Sequence, residues 1–157
     1  MVLVRMAAEG ELRQAEFEAD AAQCDLVGSR AFLSTIQRRR LIGYATELAT
    51  TDLPYQFREK SLHANRLPIV HMNLQTLPEE VQRSILEIPV EEPHADYQPS
   101  WSERVAAAKK LALPGVLQCS APATWLVADF DKLSREVTWI DCSQRFGPAL
   151  KRRDLTS

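Results

Sequence analysis

Leu12, Ala15, Ala19, Ala22 and Leu26 recur at intervals of three and four, with glutamates and Asp20 between them. That spacing predicts a helix over 8–27 with one apolar face. Gly28 stands where such a helix would stop, and Ser29 where the next would be capped. From 30 to 50, Leu33, Ile36, Leu41, Tyr44, Ala45 and Leu48 form a second and broader apolar stripe. The two segments read as an αα-hairpin with one acidic and one basic member, a pair of helices through which two copies of the chain could also associate. Asp52-Leu53-Pro54 spells a cap followed by proline in the first turn, which predicts a short third helix over 53–63.

Beyond Pro68 the pattern changes. In 69–74, Ile69, His71 and Asn73 alternate with Val70, Met72 and Leu74, the period of a strand. Thr76-Leu77-Pro78-Glu79 has the spelling of a capping box and predicts a helix over 77–87. Pro89, Pro93 and Pro99, with Glu91, Glu92 and Asp96 among them, mark 89–99 as an extended, exposed connection. Ser100-Trp101-Ser102-Glu103 repeats the capping-box logic and opens a helix that Pro114-Gly115 stops. The segments 116–119, 124–130 and 136–142 carry β-branched and aromatic residues and predict strands, the last two joined as a hairpin around 131–135. The fold class that follows is α+β: an N-terminal helical hairpin plus a small antiparallel sheet, a C-terminal β-hairpin or meander, packed with helices. By length, the 157 residues make a single domain. Its parts are a helical portion over 1–66, the proline-rich connection, a helix and β-hairpin over 100–146, and a loose basic tail over 147–157.

Composition narrows the function more than the fold. With 45% hydrophobic and 25% charged residues the chain can close a core without disulfide or metal staples. Most of the 19 basic residues are arginine and alanine is abundant, the usage of a GC-rich bacterial or phage genome. The net charge of −2 hides an alternation, with 1–28 and 67–100 acidic and 29–66 and 101–157 basic. Each basic segment therefore has an acidic neighbour to pack beside. The isoelectric point near 5.9 is far from that of a committed nucleic-acid binder. The five glycines are scattered, which excludes phosphate-cradling and dinucleotide loops. No apolar run is long enough for a membrane span or a secretory leader. Three cysteines, Cys24, Cys119 and Cys142, are an odd number without C-x-x-C spacing, which suits a reducing compartment. The expected location is the cytoplasm, away from membranes.

Each candidate for chemistry has a plain structural counterpart. Asp129-Phe130-Asp131 at a strand end could share a divalent cation, since side chains at i and i+2 point the same way, but the same residues also spell a polar hairpin turn. His63, His71 and His94 match no metal-binding spacing, and a zinc site would need them to meet Cys119 or Cys142 in space. His71 reads as a half-buried strand residue and the other two as surface residues. Cys24 falls late in its helix, where the dipole opposes a thiolate, and Cys119 and Cys142 fit strands as small apolar residues. No G-x-S-x-G elbow is present. These observations assign no catalytic residue, no metal ligand and no cofactor.

The residues that point to binding are Arg38, Arg39, Arg40, Trp125 and Trp139. Three consecutive guanidiniums spread over a wide arc of a helix, suited to phosphates or carboxylates, or to the acidic first helix. Trp125 with Val127, and Val137 with Trp139, would share faces of the expected hairpin, leaving a tryptophan-bearing face to be covered by helices or by a partner. The expected function is a non-catalytic protein-interaction module (a regulator, inhibitor or adaptor) using that hairpin and the basic helix. The alternative is a nucleic-acid-associated accessory protein using Arg38, Arg39, Arg40 and the Lys151-Arg152-Arg153 tail. A small metal-dependent or Cys/His enzyme around Asp129, Asp131 and a histidine comes third.

Overall fold

The computed structural model describes residues 2–87 and 98–156, and their regular structure is almost entirely helical. Seven α-helices run through them: α1 (Val2–Val27), α2 (Ser29–Thr51), α3 (Leu53–Arg58), α4 (Leu67–Thr76), α5 (Glu79–Glu87), α6 (Trp101–Leu111) and α7 (Phe130–Phe146). The strands are two residues each, β1 (Leu62–His63) and β2 (Leu155–Thr156), paired in parallel with Leu62 beside Leu155. The α+β class with its antiparallel C-terminal sheet is thereby corrected. Most of the connection expected over 89–99, with His94, lies outside the described residues.

The corrections have physical reasons. Val137-Thr138-Trp139-Ile140 has strand propensity, but propensity is weak beside end signals and period. Asp129 caps α7 by accepting the Lys132 amide at 3.3 Å, and Gly147 closes it with φ +61°. Between them Ser134, Thr138 and Cys142, four residues apart, form the buried line. Arg135 with Asp131 and Arg145 with Asp141 pair at i, i+4 on the same helix. The expected strand 69–74 lies inside α4, where Pro68 occupies the first turn and the Asn65 side chain accepts the Leu67 amide at 3.1 Å. His71 is exposed there rather than half-buried. Pro78 then holds Leu77 extended and ends the helix. Over 124–130 the chain makes one 3₁₀ turn at Ala123–Leu126, and 116–119 forms no strand. The third helix stops at Arg58, short of 63, and Lys60 adopts φ +53° before β1.

The two capping-box spellings part company. At Ser100 the box forms in full, with the Glu103 amide on Ser100 Oγ and the Ser100 amide on Glu103 Oε2 at 2.8 Å. At Thr76 the hydroxyl turns back onto the Met72 and Asn73 carbonyls, so α5 starts without it.

Contacts gather the chain into two compact units, Met1–Arg40 with Arg83–Cys119, and Leu41–Gln82 with Ser120–Ser157. In the first, Cys24, Phe32, Ile36 and Ala108 are buried, with Val105, Leu113 and Trp101 packed around them. The neighbour lying along α1 is α6, so the acidic–basic hairpin of α1 and α2 is also corrected. The small side chains of Cys24 and Ala108 let α1 and α6 approach closely, and the Asp20 carboxylate takes both Nε and Nη2 of Arg104, at 2.7 and 2.6 Å. A strap over 113–117 closes the turn between α1 and α2. Leu113 exchanges hydrogen bonds with Ser29, and the amides of Val116 and Leu117 donate to the Leu26 carbonyl.

In the second unit the buried residues are Leu53, Leu62, Cys142 and Leu150, flanked by Trp139, Leu155 and the stacked rings of Phe57 and Phe146, 4.3 Å apart. The segment 147–156, expected as a loose tail, is held here by Leu150, by the β1–β2 ladder, and by the Ala64 amide donating to the Thr156 carbonyl at 2.8 Å. The Asn73 side chain donates to the Ala45 carbonyl at 3.2 Å and ties α4 to the end of α2. Among the described residues, no helix is long and apolar enough to cross a membrane.

Candidate binding surface

Helix α7 has two apolar faces. The inner one, Ser134, Thr138 and Cys142 with Trp139 and Phe146 beside them, turns toward the core of the second unit. The outer one carries Phe130, Leu133, Val137 and Ile140, which fall within about 80° of arc at 100° per residue. All four are exposed, Val137 to 55%. Single exposed apolar residues are ordinary on a protein surface, whereas these four form one continuous apolar stripe.

Beside the stripe opens a cavity of about 260 Å³ within the second unit. Phe130, Leu133 and Val137 of α7 form one wall, Thr46, Ala49 and Thr50 of α2 another, and Leu67 and Val70 of α4 a third. Arg66, the residue preceding α4, completes the lining. Its backbone amide donates to Thr138 Oγ1 at 3.2 Å, and its Nη2 meets Asp141 Oδ2 at 2.5 Å. Asp141 also accepts from Arg145 Nε at 3.0 and 3.2 Å, so one carboxylate serves two guanidiniums. Arg66 Nε and Nη1 are buried without an acceptor among the described residues.

Burial alone would raise the Asp141 pKa, but hydrogen bonds from Arg145 and Arg66 and their charges outweigh it and hold the carboxyl below its ordinary value. A carboxyl depressed on folding contributes stability that is present above its unfolded pKa and lost as pH falls through the folded one. Asp141→Asn is therefore expected to flatten the loss of stability on acidification below about pH 4. Thermal melts at stepped pH check this, and parallel acid limbs in wild type and variant would refute it. The adjacent Cys142 thiol is pushed up by burial, which keeps it protonated and makes it a packing group.

The residues singled out from the sequence are dispersed. Arg38 and Arg39 are exposed on α2, whereas Arg40 is half-buried and donates to the Leu86 carbonyl at 2.8 Å. The tryptophan that Arg39 meets is Trp101, with the guanidinium 5.9 Å from the ring centroid and Arg104 at 5.5 Å from the same ring. Trp125 is 79% exposed on its 3₁₀ turn, while Trp139 packs on the core of the second unit under the Arg152 guanidinium, so they share no sheet face. Asp129 is the α7 cap, and Asp131 pairs with Arg135 at 2.8 Å and accepts from Asn65 at 3.1 Å. Both carboxylates are thus engaged in starting α7. Cys24 and Cys142 are buried and Cys119 is exposed. Among the described residues no three His, Cys, Asp or Glu side chains gather as a metal ion would need.

The stripe on α7 and the Arg66 cavity were missed in the sequence because the hairpin reading puts Phe130 on one strand, Leu133 in the turn, and Val137 and Ile140 on opposite faces of the next strand. Their spacing of three, four and three, between a capping aspartate and a closing glycine, is the signal that finds them. The chain matches no protein-family model, no curated protein and no solved structure. The functional reading therefore rests on this geometry.

Proposed function

We propose that the chain is a non-catalytic binding module that engages a protein partner through the outer face of α7. The observation that supports this is the continuous exposed stripe of Phe130, Leu133, Val137 and Ile140 beside an open apolar cavity. A helix face and a groove of this kind suit the apolar side of a partner helix, whose anchors at i, i+3 or i+4 and i+7 would alternate with the α7 side chains. The module acts by occupying or presenting its partner.

Because Val137 and Leu133 are exposed, charged substitutions there cost the fold little and the surface much. Val137→Glu and Leu133→Glu are each expected to weaken partner capture at least about tenfold, with unchanged circular dichroism. Val116→Glu, at an exposed apolar position in the first unit, serves as the control and is expected to capture the partner normally. Retention of the same partner by all three variants would dismiss the reading.

A further inference from the structure

We infer that the protein partner seated on α7 is a second copy of this chain, the two copies exchanging Trp125 into each other's cavity about a two-fold axis. The inference rests on the reading of the α7 outer face as a contact surface and names what contacts it. Trp125 and Leu126 are the two most exposed large apolar residues among those described, at 79% and 88%, and both stand on the 3₁₀ turn just before α7. A tryptophan held out in water forgoes one of the largest burials a side chain can make. The same unit holds the hole that such a knob needs. An indole side chain fills roughly 170 Å³ at protein packing density, and the cavity of about 260 Å³ admits it. Thr46 and Thr50 of its wall donate their hydroxyl protons to the Ile42 and Glu47 carbonyls at 2.8 Å, so what their oxygens still offer is an acceptor. The one polar group of an indole is a donor.

Position, charge and area select a copy of the chain over an unlike protein. Five residues separate Trp125 from Phe130 of the cavity wall, a chain span of at most about 18 Å, so knob and hole fall under one interface of standard size. A two-fold axis between them makes both insertions at once and closes the assembly at two copies. On α7, Asp131, Glu136 and Asp141 balance Lys132, Arg135 and Arg145. Most of these charges are answered within the chain, by Asp131 with Arg135, Asp141 with Arg145, and Glu136 with Arg152. An identical face therefore approaches without repulsion, and a partner chosen by charge finds no field to follow. Trp125, Leu126 and the four stripe residues expose on the order of 700 Å² per copy, near the roughly 800 Å² per partner of a standard interface.

Sedimentation equilibrium of the purified full-length chain, from about 1 to about 500 µM, tests this. Wild type is expected to reach twice the 17.7 kDa of the chain and no more. Trp125→Ala removes the knob at an exposed position and Val70→Phe fills the hole. Each is expected to weaken the dimer at least about tenfold, with unchanged circular dichroism. The deciding step mixes the two variants. Their heterodimer keeps one whole knob and one open hole, so the equimolar mixture is expected to associate more tightly than either variant alone. The inference is overturned if wild type stays monomeric, if Trp125→Ala dimerises like wild type, or if the mixture gains nothing. A mass that climbs past the dimer, as head-to-tail insertion would give, overturns it too. A monomeric wild type that still captures an unlike protein through Leu133 and Val137 removes this inference and leaves the reading of α7 in place.

Discussion

Gly115→Ala is expected to destabilise the first unit by about 3 kcal/mol or more, the sum of left-handed strain and of an overpacked contact that cannot relax. Gly115 has φ +78°, and a Cβ built on it would lie 2.3 Å from the Gly28 nitrogen and 2.4 Å from the Val27 carbonyl carbon. Those are backbone atoms, with no rotamer to swing aside. Gly28 faces the same constraint from the other side, with φ +88° and the Pro114 oxygen 2.6 Å from where its Cβ would stand. The closeness has a purpose. The last turn of α1 leaves carbonyls unpaired, and the strap reaches them only by passing directly over the turn, where Val116 and Leu117 donate to Leu26 at 3.0 and 2.8 Å. Urea unfolding followed by circular dichroism, with exchange of the Leu117 amide as a local probe, checks the expectation. Gly43→Ala is the matched control. Its Cβ meets nothing within 4 Å in mid-helix, so that substitution is expected to stabilise by up to about 1 kcal/mol. Equal stability of the two variants would sink the argument.

Asp20→Ala is the second large loss, at about 3 kcal/mol, the low end for breaking a buried ion pair because Arg104 keeps some contact with water. Asp20 is 2% exposed and its carboxylate holds the Arg104 fork at two points, while that guanidinium also lies over Trp101. Removing the acid takes the two short hydrogen bonds from Arg104, which keeps Glu16 at 4.0 Å, and loosens the ring beneath it. Replacing both partners, as Asp20→Leu with Arg104→Met, is expected to recover much of the loss, since the cost lies in a part-buried guanidinium that has lost its two-point acceptor. By contrast, removal of the exposed Arg152–Glu136 pair is expected to change stability by less than about 1 kcal/mol. A double-mutant cycle measures the coupling, and an Asp20→Ala cost no larger than that of the exposed pair would contradict this account.

Helices α1, α2 and α6 were largely legible because local signals there agree with tertiary demand. Apolar period and Gly28 end α1 where the structure ends it, and Ser100 with Glu103 forms its capping box as spelled. The sequence was misread where β-branched residues sit in helices, as in α4 and α7. There Val70 and Val137 are accommodated because each helix is pinned at its ends, by Pro68 and Pro78 in one case and by Asp129 and Gly147 in the other. Which helix lies along α1 was not written in any local pattern. Both α2 and α6 carry apolar and basic residues, and the choice falls to α6 through Asp20 with Arg104 and Arg13 with Glu103, pairs far apart in sequence. The α7 cavity was hidden for a related reason, since its walls come from three helices and its charged edge from Arg66, before α4.

The interleaved order of the two units bears on how the chain reaches this structure. Residues 1–40 gather with 83–119, and 41–82 with 120–157. Neither unit is a continuous stretch, so neither can finish condensing while the chain is growing until a later segment returns to it. Rate-limiting steps in such a topology lie in closing long loops rather than in winding individual helices, which form in about a microsecond. The β1–β2 ladder, joining Leu62 to Leu155, is the longest such closure described, and it makes the second unit the last part of the molecule able to become native.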